Sequence, residues 1–213
     1  MSLKLKVYIG AVTGLAIALF IYLASSLSLT TDMWWILTFF IILSTIAEFM
    51  PVDLPIGGRV TIGFPIDFMV ILIYGPAFAV CVTFLGEILG ELFNRKSIWY
   101  KTLFNASQYA LSAGIAGMVY QGLGGVVGAV NLTNYIVPAI ICAVIYFLIN
   151  SNLFMIVISL AEEIPILSVW KKRIKGTIAT YIALAPIGFI MAMVYVTIGI
   201  WGIILFLHIP SPL

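Results

Sequence analysis

The chain has 213 residues, of which 63 % are apolar and only 8 % carry charge, for a formal net charge of +2. A soluble domain carries about 25 % charged residues, so this chain cannot cover a water-facing surface and its solvent must be mostly lipid. The small net charge gives no footing for nucleic acid, and Cys81 and Cys142 sit inside apolar runs, without metal-ligand spacing or a disulfide framework.

A helix that crosses a bilayer needs about 20 apolar residues. The first such run is Val7–Leu27, preceded by Lys4 and Lys6. It exceeds the apolar core of a signal peptide, about 7–15 residues, and reads as an uncleaved first span. Thr30, Thr31 and Asp32 then supply a turn and N-cap for a second span, Met33–Met50, stopped by Pro51. Residues 51–64 carry two prolines and Gly57-Gly58 around a β-prone Arg-Val-Thr-Ile, which predicts a short hairpin at the membrane surface. The apolar stretch from Pro65 to Phe93 is interrupted at Gly75-Pro76. It is either a helical hairpin or one broken helix; the spacing does not decide. Further spans are read at Tyr100–Leu123, Tyr135–Leu160 and Thr177–Leu207, the last long enough for Gly199 and Gly202 to divide it in two.

Lys and Arg near span ends favour the cytoplasm. The basic clusters are Lys4/Lys6, Arg59, Arg95/Lys96/Lys101 and Lys171/Lys172/Arg173/Lys175, whereas 28–31 and 122–134 contain none. All the clusters fall on one side if 65–75 and 76–93 cross and return. The N-terminus is then cytoplasmic, Glu162/Glu163 and the 171–175 run form a solvated cytoplasmic loop, and Trp34, Trp35, Trp99 and Trp170 lie at interfaces. The expectation is an all-α integral membrane protein of six to eight transmembrane helices, one polytopic domain over 1–213, in a bacterial cytoplasmic (inner) membrane.

Polar residues inside the spans are the candidate site. A charge at a span centre costs on the order of 3 kcal/mol. Glu87 and Glu91 share one helical face, beside a Gly86/Gly90 pair that admits a close helix. They either line a polar pocket or pair with Arg95, Lys96 or Lys101 near the span end. Asn105, Gln108 and Ser112 form a second stripe, for interhelical hydrogen bonds or for ligand contact. Asp67 is either a helix-start cap or a pocket acid. Glu48 reaches the interface at the end of its span, and Asn150 and Asn152 cannot point the same way. His208 is the only histidine and carries no pattern. The expected ligand-binding residues are Asp67, Glu87, Glu91, Asn105 and Gln108. No catalytic motif, cofactor motif or metal-ligand set is present in the sequence, so the reading is non-enzymatic, with no catalytic, cofactor or metal residues.

Several segments carry a resemblance. They are I-A-E-F-M-P-V-D-L-P-I-G-G-R-V-T-I-G-F at 46–64, Y-G-P-A at 74–77, L-G-E-I-L-G-E-L at 85–92, W-Y-K-T-L-F-N-A-S-Q-Y-A-L-S-A-G at 99–114, V-Y-Q-G-L-G-G at 119–125 and Y-I-A-L-A-P-I-G at 181–188. In this order they resemble the N-terminal membrane sensory module that precedes HD-GYP phosphodiesterase or GGDEF cyclase domains in bacterial signalling proteins. The resemblance implies a sensor that biases its helix packing and passes a signal to a cytoplasmic output domain or partner. The sequence contains no H-D dyad, G-Y-P or G-G-D-E-F, which leaves a stand-alone version or a chain cut before its output domain. Gly75-Pro76 followed by Gly86 and Gly90 is also similar to substrate-binding S-components of energy-coupling-factor transporters, which implies the alternative of a small-molecule or vitamin uptake subunit. The expected partners are the lipid bilayer, a small-molecule ligand, a signalling domain or transporter subunits, and a second copy of the chain. A small-residue face, Gly10/Gly14/Ala18, suits either a partner helix or ordinary packing.

Overall fold

A computed structural model describes residues 1–25, 27, 30–49, 52–53, 59–60, 63–93, 98–131 and 133–207, with backbone only at 49, 52, 53, 59, 60 and 204–207. Seven helices and one two-stranded hairpin are described, in the order α1 Leu3–Ala24, α2 Thr31–Phe49, β1 Val52–Asp53, β2 Arg59–Val60, α3 Gly63–Phe93, α4 Trp99–Gly122, α5 Ile136–Glu162, α6 Ile166–Ile198 and α7 Ile200–Leu207. The chain is an all-α membrane protein. Helices α1, α2, α3, α5 and α6 are long and apolar enough to cross a bilayer, and α4 is less apolar.

The ends of the elements follow their caps rather than the apolar runs. Ser2 accepts the Leu5 N–H and starts α1 a turn before Val7. α2 opens at Thr31, so Asp32 lies in the first turn, where a carboxylate complements the helix dipole. The expected hairpin is present, with Val52 opposite Val60 and Asp53 opposite Arg59; its turn, 54–58, lies outside the described residues. The 171–175 run corrects an expectation: it is helix, not loop. α6 opens at Ile166 and carries Lys171, Lys172, Arg173 and Lys175 exposed on its first turns. Long basic side chains are good helix formers and reach water from a helix as well as from a loop.

α3 is the centre of the molecule: 78 % of its most apolar window is buried, against 22–33 % for the other candidate spans. At about 1.5 Å per residue, an unbroken helix of this length would overshoot a bilayer core of about 30 Å. It is broken at Gly75, where φ is 80° and ψ 179°. The next residue is Pro76, which lacks an N–H, so the Leu72 carbonyl has no partner one turn on. The Gly128 N–H donates to that carbonyl at 3.0 Å instead.

The neighbours of the two halves fix their directions. A Cβ on Gly117 of α4 would lie 2.8 Å from the Pro76 Cβ, and Gly114 abuts Val80. From Pro76 onward, then, α3 runs antiparallel to α4. The same half runs parallel to α2, since Gly86 meets Ser44 and Gly90 meets Glu48. The G-x-x-x-G pair thus admits α2. The first half runs parallel to α6: Pro65 and Phe68 abut Gly188, and further along Tyr74 and Tyr195 share a hydrogen bond between hydroxyls. α4, α5 and α6 alternate in direction through short connections, so α4 and α6 are parallel and the two halves of α3 are opposed. The choice between broken helix and hairpin falls to the hairpin.

A second reversal follows at Gly199, with φ 68° and ψ −152°. There α7 folds back so that Gly202 touches Val194. α1 lies along α4 in the same direction, through Tyr8 against Phe104 at 6.0 Å, Ser107 bonded to Thr13 at 3.3 Å, and Leu19 against Gly114. These directions gather Lys4, Lys6, Lys101 and the 171–175 run at one end of the bundle. Gly10 and Gly14 meet nothing within 4 Å, so the small-residue face of α1 is not packed against the described residues.

Candidate functional site

Lipid is as apolar as leucine, so helices in a membrane associate through close packing and polar bonds rather than hydrophobic burial. One polar cluster stands out. Asp67, on the first half of α3, is only 4 % exposed. Its Oδ2 accepts a 2.7 Å bond from the Tyr146 hydroxyl of α5, while its Oδ1 is buried without a partner. Asn150 lies one turn after Tyr146, and its Oδ1 accepts from the Tyr181 hydroxyl of α6 at 3.1 Å. The Asn150 Nδ2 is buried and unpaired, as is the Ser151 hydroxyl oxygen. Phe64 packs against both tyrosines, with ring centroids 4.9 Å from Tyr146 and 4.5 Å from Tyr181.

The second half of α3 contributes Glu87, also 4 % exposed, with the Asn105 side chain of α4 acting on its carboxyl. Its carboxyl lies in the electrostatic field of Asp67, Glu48 and Glu91, and Glu48 also acts on Asp67. Tyr109 of α4 lies in the fields of Glu48, Asp67, Glu87 and Tyr181 together. Asp67 and Glu87 are twenty residues apart, about 30 Å along a straight helix; the reversal at Gly75 is what makes them neighbours. Helix ends and packed glycines thus bring side chains from α2, both halves of α3, α4, α5 and α6 to one place.

Of the expected site residues, Asp67, Glu87 and Asn105 meet in this cluster. Asp67 stands four residues inside α3 and is a buried acid rather than a cap. Glu91 is half-buried at the edge, one turn beyond Glu87. Gln108 is buried, with its Oε1 unpaired, and no bond from it to either carboxyl is described. The Ser112 hydroxyl is spent on the Gln108 carbonyl of its own helix. Pairing of Glu87 and Glu91 with Arg95 or Lys96 lies outside the described residues, and Lys101 is exposed. Asn150 turns inward, whereas Asn152 is exposed and bonds the Leu148 carbonyl.

Sequence reasoning missed Tyr109, Tyr146 and Tyr181, weighed Asn150 only against Asn152, and gave no part in the cluster to Glu48, whose charge acts on Asp67 and Glu87. Two signals were available: Tyr109 follows Asn105 by four residues, and Asn150 follows Tyr146 by four, so each pair shares a helical face. Every Lys or Arg whose side chain is described is exposed. A separate hollow of about 330 Å³, lined by Tyr22, Leu23, Ser25, Met118 and Gln121, opens between the last turns of α1 and α4 and holds no carboxylate.

A bundle of apolar helices closed round buried carboxyls and tyrosines belongs to the class of membrane sensory domains, by the family match that accompanies it. The MASE9 family model matches residues 57–210, and the chain belongs to the MASE9 family of membrane-associated sensory domains. The match runs from the hairpin through α7 and includes every cluster residue except Glu48. No curated protein and no solved structure matches the chain, and no observation favours the uptake-subunit expectation.

Proposed function

We propose that this chain is a non-enzymatic sensor of the bacterial cytoplasmic membrane, with its N-terminus and its basic end in the cytoplasm. A small ligand at the Asp67–Glu87 cluster biases helix packing, and a cytoplasmic output domain or partner, of the HD-GYP or GGDEF kind, reads the change. The observation that carries this reading is Asp67 Oδ1, a buried carboxyl oxygen without a partner among the described residues, where side chains of five helices converge. Buried polar groups are nearly always paired, and an ionisable group inside a membrane marks function by default. A ligand shifts a packing equilibrium only by its differential affinity for the two arrangements. The first half of α3 is suited to that role, because it is bonded to α5 through Asp67 and to α6 through Tyr74, whose partner Tyr195 stands four residues before the Gly199 reversal.

The test joins a diguanylate cyclase reporter to the C-terminal end of the chain. Asp67→Asn and Glu87→Gln are expected to shift cyclase output about tenfold in either direction, which corresponds to about 1.4 kcal/mol between two packing states. Glu163→Gln, on the exposed turn after α5, should leave it unchanged. Equal output from all four chains would remove the reading.

A further inference from the structure

The chemistry left unpaired in the cluster points to what would fill it. Asp67 Oδ2 already holds the Tyr146 proton donor, so Oδ1 lacks a partner in either protonation state. An ionised Oδ1 needs a donor or a cation, and a protonated one needs an acceptor. The Tyr146 and Tyr181 hydroxyls both donate, to Asp67 and Asn150, and a hydroxyl that donates keeps lone pairs free to accept. The cluster is therefore rich in acceptors. The groups whose charges or dipoles couple to Asp67 are Glu48 from α2, Glu87 from the second half of α3, Tyr109 from α4, Tyr146 from α5 and Tyr181 from α6. None is basic, and every Lys or Arg with a described side chain is exposed. Carboxyls that share a low-dielectric site stay apart in charge, by keeping a proton or by taking up a cation. Two further observations narrow the class. Among the described residues no three His, Cys, Asp or Glu side chains gather to hold a metal ion, so a site of many carboxylate ligands is not what is built. The rings of Phe64, Tyr146 and Tyr181 stand together beside the acid, and aromatic faces attract cations.

We propose that the cluster binds one small monovalent cation, an alkali ion or a primary ammonium, held at Asp67 Oδ1 with Glu87 as the second charge. Asn150 Nδ2, buried and unpaired beside it, donates to an oxygen of an organic ammonium when that is the ligand. The assignment rests on the cluster being the sensory site.

The full chain, purified in zwitterionic nanodiscs, is unfolded by heat under tryptophan fluorescence. At constant ionic strength, N-methyl-D-glucamine chloride is replaced in turn by sodium, potassium or ethanolamine chloride. A cation that binds the folded state alone raises Tm with its concentration. One of the three should give a saturable rise in the wild type, which Asp67→Asn abolishes and Glu162→Gln keeps. A rise with sodium or potassium identifies an inorganic ion, and a rise with ethanolamine an amine. Should Asp67→Asn fail to unfold cooperatively, Glu87→Gln takes its place and is expected to weaken the rise at least tenfold in cation concentration. Flat Tm values with all three cations, equal rises in wild type and variant, or a rise on acidification alone would overturn the assignment. If the cations fail while the cyclase reporter still responds to Asp67→Asn, the cation is wrong and the sensor stands. If a cation binds and the reporter is silent, the site is real and the sensory reading falls.

Discussion

A single bond shows how much the cluster depends on its tyrosines. The Tyr146 hydroxyl is the only described donor to Asp67, and it stands 0 % exposed. Tyr146→Phe keeps the ring against Phe64 but leaves both Asp67 oxygens unpaired. A lost interhelical bond in a membrane costs about 0.6–2 kcal/mol, and an orphaned buried acceptor adds to that. Tyr146→Phe should therefore lower unfolding stability by about 1–3 kcal/mol, while Tyr22→Phe, on the exposed face of α1, should change it by less than about 0.5 kcal/mol. Unfolding in mixed micelles measures both, and equal effects would show that the Asp67–Tyr146 bond is not made. Glu87 and Asn105 were legible because charged and amide residues are rare in spans and helical spacing places them on faces. Tyr146 and Tyr181 were not, because a tyrosine in an apolar run reads as core. Their partners lie 79 and 31 residues away, beyond the reach of any periodicity.

The helices are held together by glycines whose missing Cβ lets backbones meet. Gly75 combines positive φ with Val127 3.3 Å from where its Cβ would sit, and a Cβ on Gly117 would meet the Pro76 Cα at 3.0 Å. Overpacking against a rigid proline costs about 1–3 kcal/mol, and a left-handed residue with a Cβ costs about 1–2 kcal/mol. Gly75→Ala and Gly117→Ala should each destabilise by those amounts, with Gly10→Ala neutral or slightly stabilising because its surroundings are open. Neutral results at Gly75 and Gly117 would contradict the hairpin. The apolar runs located the helices to within a few residues except at α6, where charged residues with helical preference extended the element by three turns. Direction was illegible in the 65–93 stretch. What decides it is which helix each half packs against, Gly117 of α4 on Pro76 and Gly188 of α6 on Pro65, contacts that composition does not encode.

For the whole molecule, the helix directions place residues 4, 101 and 172 at one end and residues 30 and 134 at the other. Single cysteines at these positions, in a chain with Cys81 and Cys142 replaced by Ala, should split into two groups with a membrane-impermeant maleimide applied to intact spheroplasts. The second group alone should label if the basic end is cytoplasmic. Labelling of residues 4 and 172 from opposite sides would break the topology. The family match leaves α1 and α2 outside its bounds, yet α2 lines the second half of α3 and supplies Glu48.

A sensor of this kind requires the state of the Asp67 cluster to be felt at the Gly199 reversal. Amide hydrogen exchange on the full chain in nanodiscs, wild type against Asp67→Asn, measures it directly. Altered exchange is expected at the Asp67 end of α3 and again at residues 195–203, beyond the Tyr74–Tyr195 bond. A Tyr195→Phe background should confine the change to the first of these. Exchange altered around residue 67 alone, with 195–203 unmoved in the otherwise wild-type chain, would contradict the account.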